Sequence, residues 1–367
     1  MSFILTFLGK GGTGRTTLAI AAAKAMALQG QRVLLLGHAS DPGLSLLLGA
    51  AELGNDPQTI APNLSVAVLS TALRLEKSWD DVKQLEAQYV RTPFLKNVFG
   101  QELGVLPGMD SALALYTLKQ YDASNQYDVI VYDGQHSAAT LRMFGMPEGL
   151  DWYLRRFRQV FAESDLGKTL SPFLQPVAAA ILNNADWTSG NFAQPFSMAD
   201  NELVQGIKAI ADPSRVAAYL VTTVDPVAIR TAQMLWGSSQ QVNLTVAGLM
   251  LNQSANLNVL HERFVPLPQH SLPARTDDQW QTLIDSLPNF RQEALAAPKP
   301  MTVDVEQRQV KLFLPGFEKH QVQLTQYGPE LTIAAGDQRR NLLLPSGLSG
   351  QKVTGAKFQS GYLTISF

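Results

Sequence analysis

Nine residues near the amino terminus, Gly9-Lys10-Gly11-Gly12-Thr13-Gly14-Arg15-Thr16-Thr17, restrict what this chain can fold into more than any other stretch. They follow a short apolar, β-prone run, Phe3-Ile4-Leu5-Thr6-Phe7-Leu8. They precede an Ala-rich run, Leu18 to Leu28, that lacks Gly and Pro. Strand, glycine-rich turn, helix is the order in which a loop binds phosphate. The glycines let successive backbone N–H groups turn inward without Cβ clashes. Those groups and the positive end of the new helix then face an anion. Thr16 is placed to offer its hydroxyl to a magnesium ion and Thr17 to reach a phosphate oxygen. A glycine-rich turn with no ligand is the plain alternative.

The position before Thr16, ordinarily lysine in such loops, is Arg15. Arginine keeps the charge but is planar and forked, so the exchange is not neutral. A second cation, Lys10, stands near the start of the loop. Gly-Lys-Gly-Gly-x-Gly-x-Thr-Thr resembles the deviant P-loop of the partition, nitrogenase-iron-protein and arsenite-pump ATPases. That resemblance implies that Lys10 crosses a homodimer interface to the partner's nucleotide, while Gly11, Gly12, Thr13, Gly14, Arg15, Thr16 and Thr17 hold the phosphates.

Further motifs fit an open α/β sheet, in which ligands meet the carboxyl ends of the strands. Gln31 to Gly37 reads as a second buried strand, after a helix that Gly30 closes. Asp41-Pro42 follows it. Asp41 resembles the water-positioning switch I aspartate of the arsenite-pump family, whose Asp-Pro-Ala-His becomes Asp-Pro-Gly-Leu here; a turn or helix cap before Pro42 is the alternative. Leu64 to Leu69 is a third strand. Tyr127 to Asp133 is an apolar strand ending in aspartate, the pattern whose carboxylate holds magnesium through water. Thr140-Leu141-Arg142, beyond Asp133, resembles the end of the family's switch II; His136 between them is a sensor or a partly exposed loop histidine. Val216 to Val221 and Leu244 to Asn252 are further strands, with a helix from Pro226 to Gly237 between them. Asn252 resembles the family's adenine-contacting asparagine, the alternative being an ordinary Asn turn. Phe264-Val265-Pro266-Leu267-Pro268 resembles the loop laid against the base, with Pro266 and Leu267 as its contacts.

At 367 residues, 46% hydrophobic and 16% charged, the chain is expected to be globular with two domains or one large one. A net charge of −2 argues against a general nucleic-acid binder. The absence of cysteine excludes a disulfide framework, a thiolate zinc site and a cysteine nucleophile. Met1-Ser2 runs straight into the first strand, so the chain is expected to be unexported, hence cytoplasmic. No apolar run reaches the ~18 residues of a membrane span. About 72–125 and 143–214 read as a helical subdomain. In it Tyr153, Phe157 and Phe161 share one face. The family resemblance makes that face part of a groove for hydrophobic segments; an ordinary buried helix face is the alternative.

From Asn289 to Pro300 the chain reads as a linker, with formal bounds of 293–300 between an ATPase domain, 1–292, and a β domain, 301–367. The β domain consists of short runs of period two bounded by turn residues. Leu314-Pro315-Gly316-Phe317, Arg339-Arg340 before Leu344-Pro345, and Ala356 to Leu363 resemble landmarks of the α-crystallin domain of small heat-shock proteins. Gly336-Asp337-Gln338 is too short for the long exchanged loop of bacterial relatives, and no tail follows Phe367, so a docked sandwich is expected.

The expected fold is thus a doubly wound, mostly parallel α/β sheet of P-loop NTPase type with a helical insert and a C-terminal all-β sandwich. The resemblance implies an ATPase of the arsenite-pump and tail-anchored-protein-targeting family: a homodimeric, Mg2+-dependent ATP switch for hydrophobic or membrane-protein clients, without zinc or nucleic acid. The motor of an anion pump, a partition-type positioning ATPase and a nucleotide-binding switch with weak hydrolysis remain alternatives.

Overall fold

The computed structural model describes residues 1–38, 42–50, 53–70, 108–163, 203–260, 262–276 and 279–367. Asp41, most of the 72–125 insert, and the 164–202 part of the second helical segment lie outside these residues.

An eight-stranded sheet has the order β3-β4-β2-β5-β1-β6-β7-β8. Its strands are β1 (Phe3–Gly9), β2 (Val33–His38), β3 (Gln58–Ala61), β4 (Leu64–Leu69), β5 (Val129–Tyr132), β6 (Val216–Thr222), β7 (Val246–Asn252) and β8 (Gln269–Leu272). All neighbours pair in parallel except the edge strand β3, which runs antiparallel to β4. The inner strands are apolar without alternation because both faces are covered. Along β1, Ile4 and Leu8 join one core while Phe3, Leu5 and Phe7 join the other. The first core is closed by α3 (Met109–Ala123), α4 (Ser137–Glu163) and α5 (Pro226–Gln241). The second is closed by α1 (Arg15–Leu28), α2 (Gly43–Leu48), α6 (Gln281–Asp285) and α7 (Phe290–Ala296). This is the doubly wound arrangement expected from the motif order.

Local chemistry sets the helix ends. Gly30, with φ of 84°, follows α1 in the left-handed region that lets a chain leave a helix. Asp225 caps α5, its Oδ1 accepting from Val227 N at 3.1 Å, with Pro226 as the first helical residue.

The structure adds three details to the sequence reading. The stretch read as a linker from Asn289 contains α7, whose Phe290 and Ala294 are buried in the second core. Asn289 caps it by accepting from Gln292 N. Glu293, on this helix, accepts from the Tyr219 hydroxyl at 2.7 Å and pairs with His270 at 2.9 Å. Burial and the Glu293 carboxylate push the Tyr219 hydroxyl well above its ordinary pKa. Part of the stretch read as a linker is therefore a helix packed against the sheet. Second, the stretch around Pro266 leads into β8, a strand too short and polar to read as one. Third, Tyr153 stands on α4 with its side chain exposed, while the side chains of Phe157 and Phe161 lie outside the described set.

The C-terminal domain is a two-sheet sandwich. One sheet has the order β14-β15-β10-β9 and the other β11-β12-β13. Their ranges are β9 (Met301–Asp304), β10 (Gln309–Phe313), β11 (Val322–Tyr327), β12 (Glu330–Ala335), β13 (Gln338–Leu343), β14 (Gly355–Gln359) and β15 (Tyr362–Ser366). Val310, Leu312, Leu331, Ile333, Leu363 and Ile365 interdigitate between the sheets. The sandwich is docked on α4 and α5. Gln241 donates to the Ile333 carbonyl at 3.2 Å, and Trp236 meets Phe313 edge to face at 5.1 Å. Gly237 gives the closest approach: a Cβ there would overlap the Pro315 carbonyl and the Phe317 ring.

Gly237→Ala should therefore push the sandwich off α5 and destabilise the protein by about 1–3 kcal/mol, as overpacking does. Gly149→Ala, where a Cβ meets nothing within 4 Å, should be neutral or stabilising. Thermal unfolding and apolar-dye binding of both variants check this; equal behaviour would contradict the close docking.

Candidate nucleotide site

The P-loop leaves the carboxyl end of β1, between β5 and β6. Gly12 and Gly14 have φ of 83° and 94°, so the loop depends on residues without a Cβ at both positions. The loop closes on itself: Thr13 donates from N (3.3 Å) and Oγ1 (2.8 Å) to the Lys10 carbonyl. The Thr13 hydroxyl is thereby turned inward and shapes the loop rather than facing its mouth. Gly11 and Gly12 are exposed at that mouth. Thr16 and Thr17 lie half-buried in the first turn of α1.

Two side chains from other elements clamp the loop. Asn252, 4% exposed at the end of β7, donates from Nδ2 to the Thr13 carbonyl at 2.9 Å. It packs so closely on Gly14 that a Cβ there would overlap its amide. Ser137, at the start of α4, accepts from Gly9 N and donates to Gly9 O, both at 2.9 Å. Sequence reasoning missed Ser137, because nothing local marks a serine whose partner is 128 residues away.

Arg15 points across the loop. Its guanidinium donates to the carbonyls of Gly134 (3.4 Å) and Gln135 (3.1 Å), just after β5. A forked donor suits two successive carbonyls; a lysine ammonium would not span them in the same way. Lys10 is half-exposed, with Nζ 3.6 Å from Asp225 Oδ2. An exposed pair of this kind is weak and easily exchanged.

Asp133 follows β5 and is 8% exposed. Its N–H donates to Leu36 O at 2.9 Å, fixing it between the ends of β2 and β5. Beside it, buried His38 and Tyr132 join through Nε2 and Oη at 2.8 Å. Desolvation, first, and the neighbouring Asp133 charge raise the Tyr132 pKa, so this hydroxyl stays protonated. His136 is exposed and its Nδ1 accepts from Ala139 N at 3.2 Å, making it a cap for α4. Asp41 lies outside the described residues, between His38 at the end of β2 and Pro42.

Pro266 and Leu267 are not brought to this site. They precede β8, and in the parallel register Asn252 pairs with Leu272 while Leu249 pairs with Gln269. Both residues thus lie toward the amino end of the sheet, opposite the P-loop. Leu267 is buried in the core with Phe264, and Pro266 lines a cleft against Phe313 and Tyr362 of the sandwich. The residues that leave β8 on the P-loop side begin at Pro273.

A central strand, a glycine loop with two left-handed residues and a buried aspartate on the adjacent strand define a P-loop nucleotide hydrolase. Residues 1–267 match the family described as anion-transporting ATPase, and residues 306–367 match the HSP20-like domain found in ArsA. The chain belongs to this ATPase family and carries that C-terminal domain. A putative arsenical pump-driving ATPase of Chlorobaculum tepidum is 25% identical over 399 residues, covering 99% of this chain and 95% of the relative. An uncharacterized protein of Streptomyces coelicolor is 28% identical over 391 residues, covering 99% of this chain and 96% of the relative. ATPase GET3 of Meyerozyma guilliermondii is 29% identical over 169 residues, 41% of this chain and 48% of the relative. No helix among the described residues is long and apolar enough to cross a membrane.

Asn252→Ala should release the P-loop and weaken ADP binding by roughly tenfold, the value of one buried hydrogen bond of about 1.4 kcal/mol. Titration calorimetry reads it directly; an unchanged affinity would show that the Thr13 contact does not set the loop.

Proposed function

We propose that this ATPase works as a homodimeric, magnesium-dependent switch whose nucleotide state controls the holding of hydrophobic protein segments, and that it acts in the cytoplasm. The observation that carries the switch is the double attachment of residues 134–137 to the P-loop. Arg15 holds the carbonyls of Gly134 and Gln135, and Ser137 holds Gly9. A γ-phosphate arriving in the loop meets both attachments and has differential contacts to make in the two states.

The donor set fits magnesium. The Thr16 hydroxyl and the Asp133 carboxylate are hard oxygen ligands of the kind that ion takes with retained waters. Bound there, magnesium would neutralise charge on the β- and γ-phosphates. Gly11, Gly12, Gly14 and Thr17 present backbone and hydroxyl donors to the phosphates. Lys10, at the mouth and half-exposed, is free to exchange Asp225 for a phosphate across the dimer. Asp41 positions the attacking water. Asn252 faces the base while holding Thr13, and the residues from Pro273 onward replace Pro266 and Leu267 as the other side of the base pocket.

Client binding rests on the family resemblance and on the helical segments flanking the sheet. The pump names among the relatives suggest metalloid transport as the other reading. This chain carries no cysteine, so it has no thiolate with which to bind arsenite.

Lys10→Ala should reduce ATP turnover by ~10³ or more, as loss of an arginine-finger-type cation does, while nucleotide affinity changes little. Unchanged turnover would sink the role across the dimer. Arg15→Lys should bind ATP at least as well as the parent and hydrolyse it at least as fast, because the compact ammonium leaves the 134–135 carbonyls and reaches the phosphates. Steady-state kinetics with binding titrations decide this; loss of both activities would mean that the pocket is built around the guanidinium.

A further inference from the structure

Arg340 of β13 is the largest charged group buried anywhere among the described residues, at 2% exposure, and nothing in the proposed chemistry uses it. Its Nη1 donates to the Gln240 carbonyl at 3.0 Å and its Nη2 to Asn243 Oδ1 at 2.6 Å, closing the end of α5. Its Nε has no hydrogen-bond partner and stands 3.9 Å from Glu148 Oε1 on α4. Burial lowers the pKa of Arg340 and raises that of Glu148, in each case outweighing their mutual attraction. The pair is thus close enough to attract and too far apart to be satisfied.

The same helix is gripped along its length. Glu330 of β12 accepts from Trp152 Nε1 at 3.2 Å and from Arg155 Nη1 at 2.9 Å, and Arg155 also holds Asp151 at 2.9 Å. Arg142 pairs with Asp337 at 3.4 Å. These contacts span Arg142 to Arg155, roughly 20 Å of helix at 1.5 Å per residue. One turn before them lies Ser137, bonded to the first residue of the P-loop. Between α4, the end of α5 and β13 lies a polar cavity of about 130 Å³, lined by Arg142, Glu148, Gln241, Gln338, Arg339 and Asn341. Gln241, whose Oε1 is buried without a hydrogen-bond partner, forms part of its wall. There is room beside α4 for it to move, and the Arg340 Nε–Glu148 pair is left open at 3.9 Å.

We propose that the C-terminal sandwich positions α4 for nucleotide turnover, with Arg340 as the positioning residue that acts through Glu148. In one arrangement Arg340 Nε and Glu148 stay apart, as here. In the other, α4 shifts into the cavity, the pair closes, and residues 134–137 move relative to Gly9 and Arg15. Linkage makes the effect reciprocal: a nucleotide state that favours one arrangement must favour the matching dock of the sandwich by the same factor. This inference rests on the reading of residues 134–137 as a switch.

The test uses the full chain with Arg340→Lys, Glu330→Gln and, as a control on the exposed β14, Lys357→Ala. Two quantities are read: kcat and KM for ATP, and amide exchange over residues 134–142 without nucleotide. Both interface variants should lower kcat at least threefold with KM within twofold, and speed exchange over 134–142; the control should do neither. A merely structural role would leave both unchanged while exchange over 330–343 rises, and that result overturns the proposal. If Arg340→Lys does not fold, Glu330→Gln decides alone, since it keeps the size of the side chain and an acceptor oxygen for Trp152 and Arg155. A parent protein without turnover would refute the proposed function, whereas the nucleotide-free exchange would still decide this inference.

Discussion

Everything in the ATPase domain depends on β1 being buried on both faces in the middle of the sheet. Strands β5 and β6 take up its hydrogen bonds, and Phe3 to Leu8 divide their side chains between two cores. A strand so held cannot tilt, and the loop at its end inherits that rigidity. Two hydrogen-bonded clamps complete the fixation: Ser137 on Gly9 and Asn252 on Thr13. Preorganised backbone donors are worth most when they need not rearrange as charge arrives.

Arg15 links the loop to its neighbour in a different way. By reaching the carbonyls of Gly134 and Gln135 it ties the P-loop to the segment after Asp133, where a lysine would ordinarily face phosphate. The exchange of lysine for arginine therefore does more than change the shape of a cation. It gives the loop and the switch segment a direct contact, and α4, which begins two residues later, carries that contact to the C-terminal sandwich.

The sandwich is joined to the ATPase domain in a way its composition conceals. Its interface mixes a glycine contact, where Gly237 admits Pro315 and Phe317, with a buried guanidinium and, at its edge, the exposed Arg142–Asp337 pair on α4. Rim pairs contribute little stability each, but a buried charge whose partner is removed is strongly destabilising. An interface of this kind specifies one docking geometry more than it adds overall stability.

By itself, the sequence determined the order of the elements and the identity of the loop. Continuous apolar runs mark strands covered on both faces, and glycines at 12 and 14 mark a turn that only they can make. Period-two runs after residue 300 mark the sandwich. Local pattern failed where an element is held by something distant. Helix α7 read as a linker because its evidence is Phe290 and Ala294 packing on the sheet and Glu293 reaching Tyr219. Strand β8 is four residues, three of them polar, marked as a strand by pairing with β7, and that pairing moved Pro266 and Leu267 to the far end of the sheet. Ser137, the Arg15 contacts and the burial of Arg340 likewise have no signature in their neighbours along the chain. They were decided by tertiary structure, because each satisfies a polar group that only the folded arrangement brings within reach.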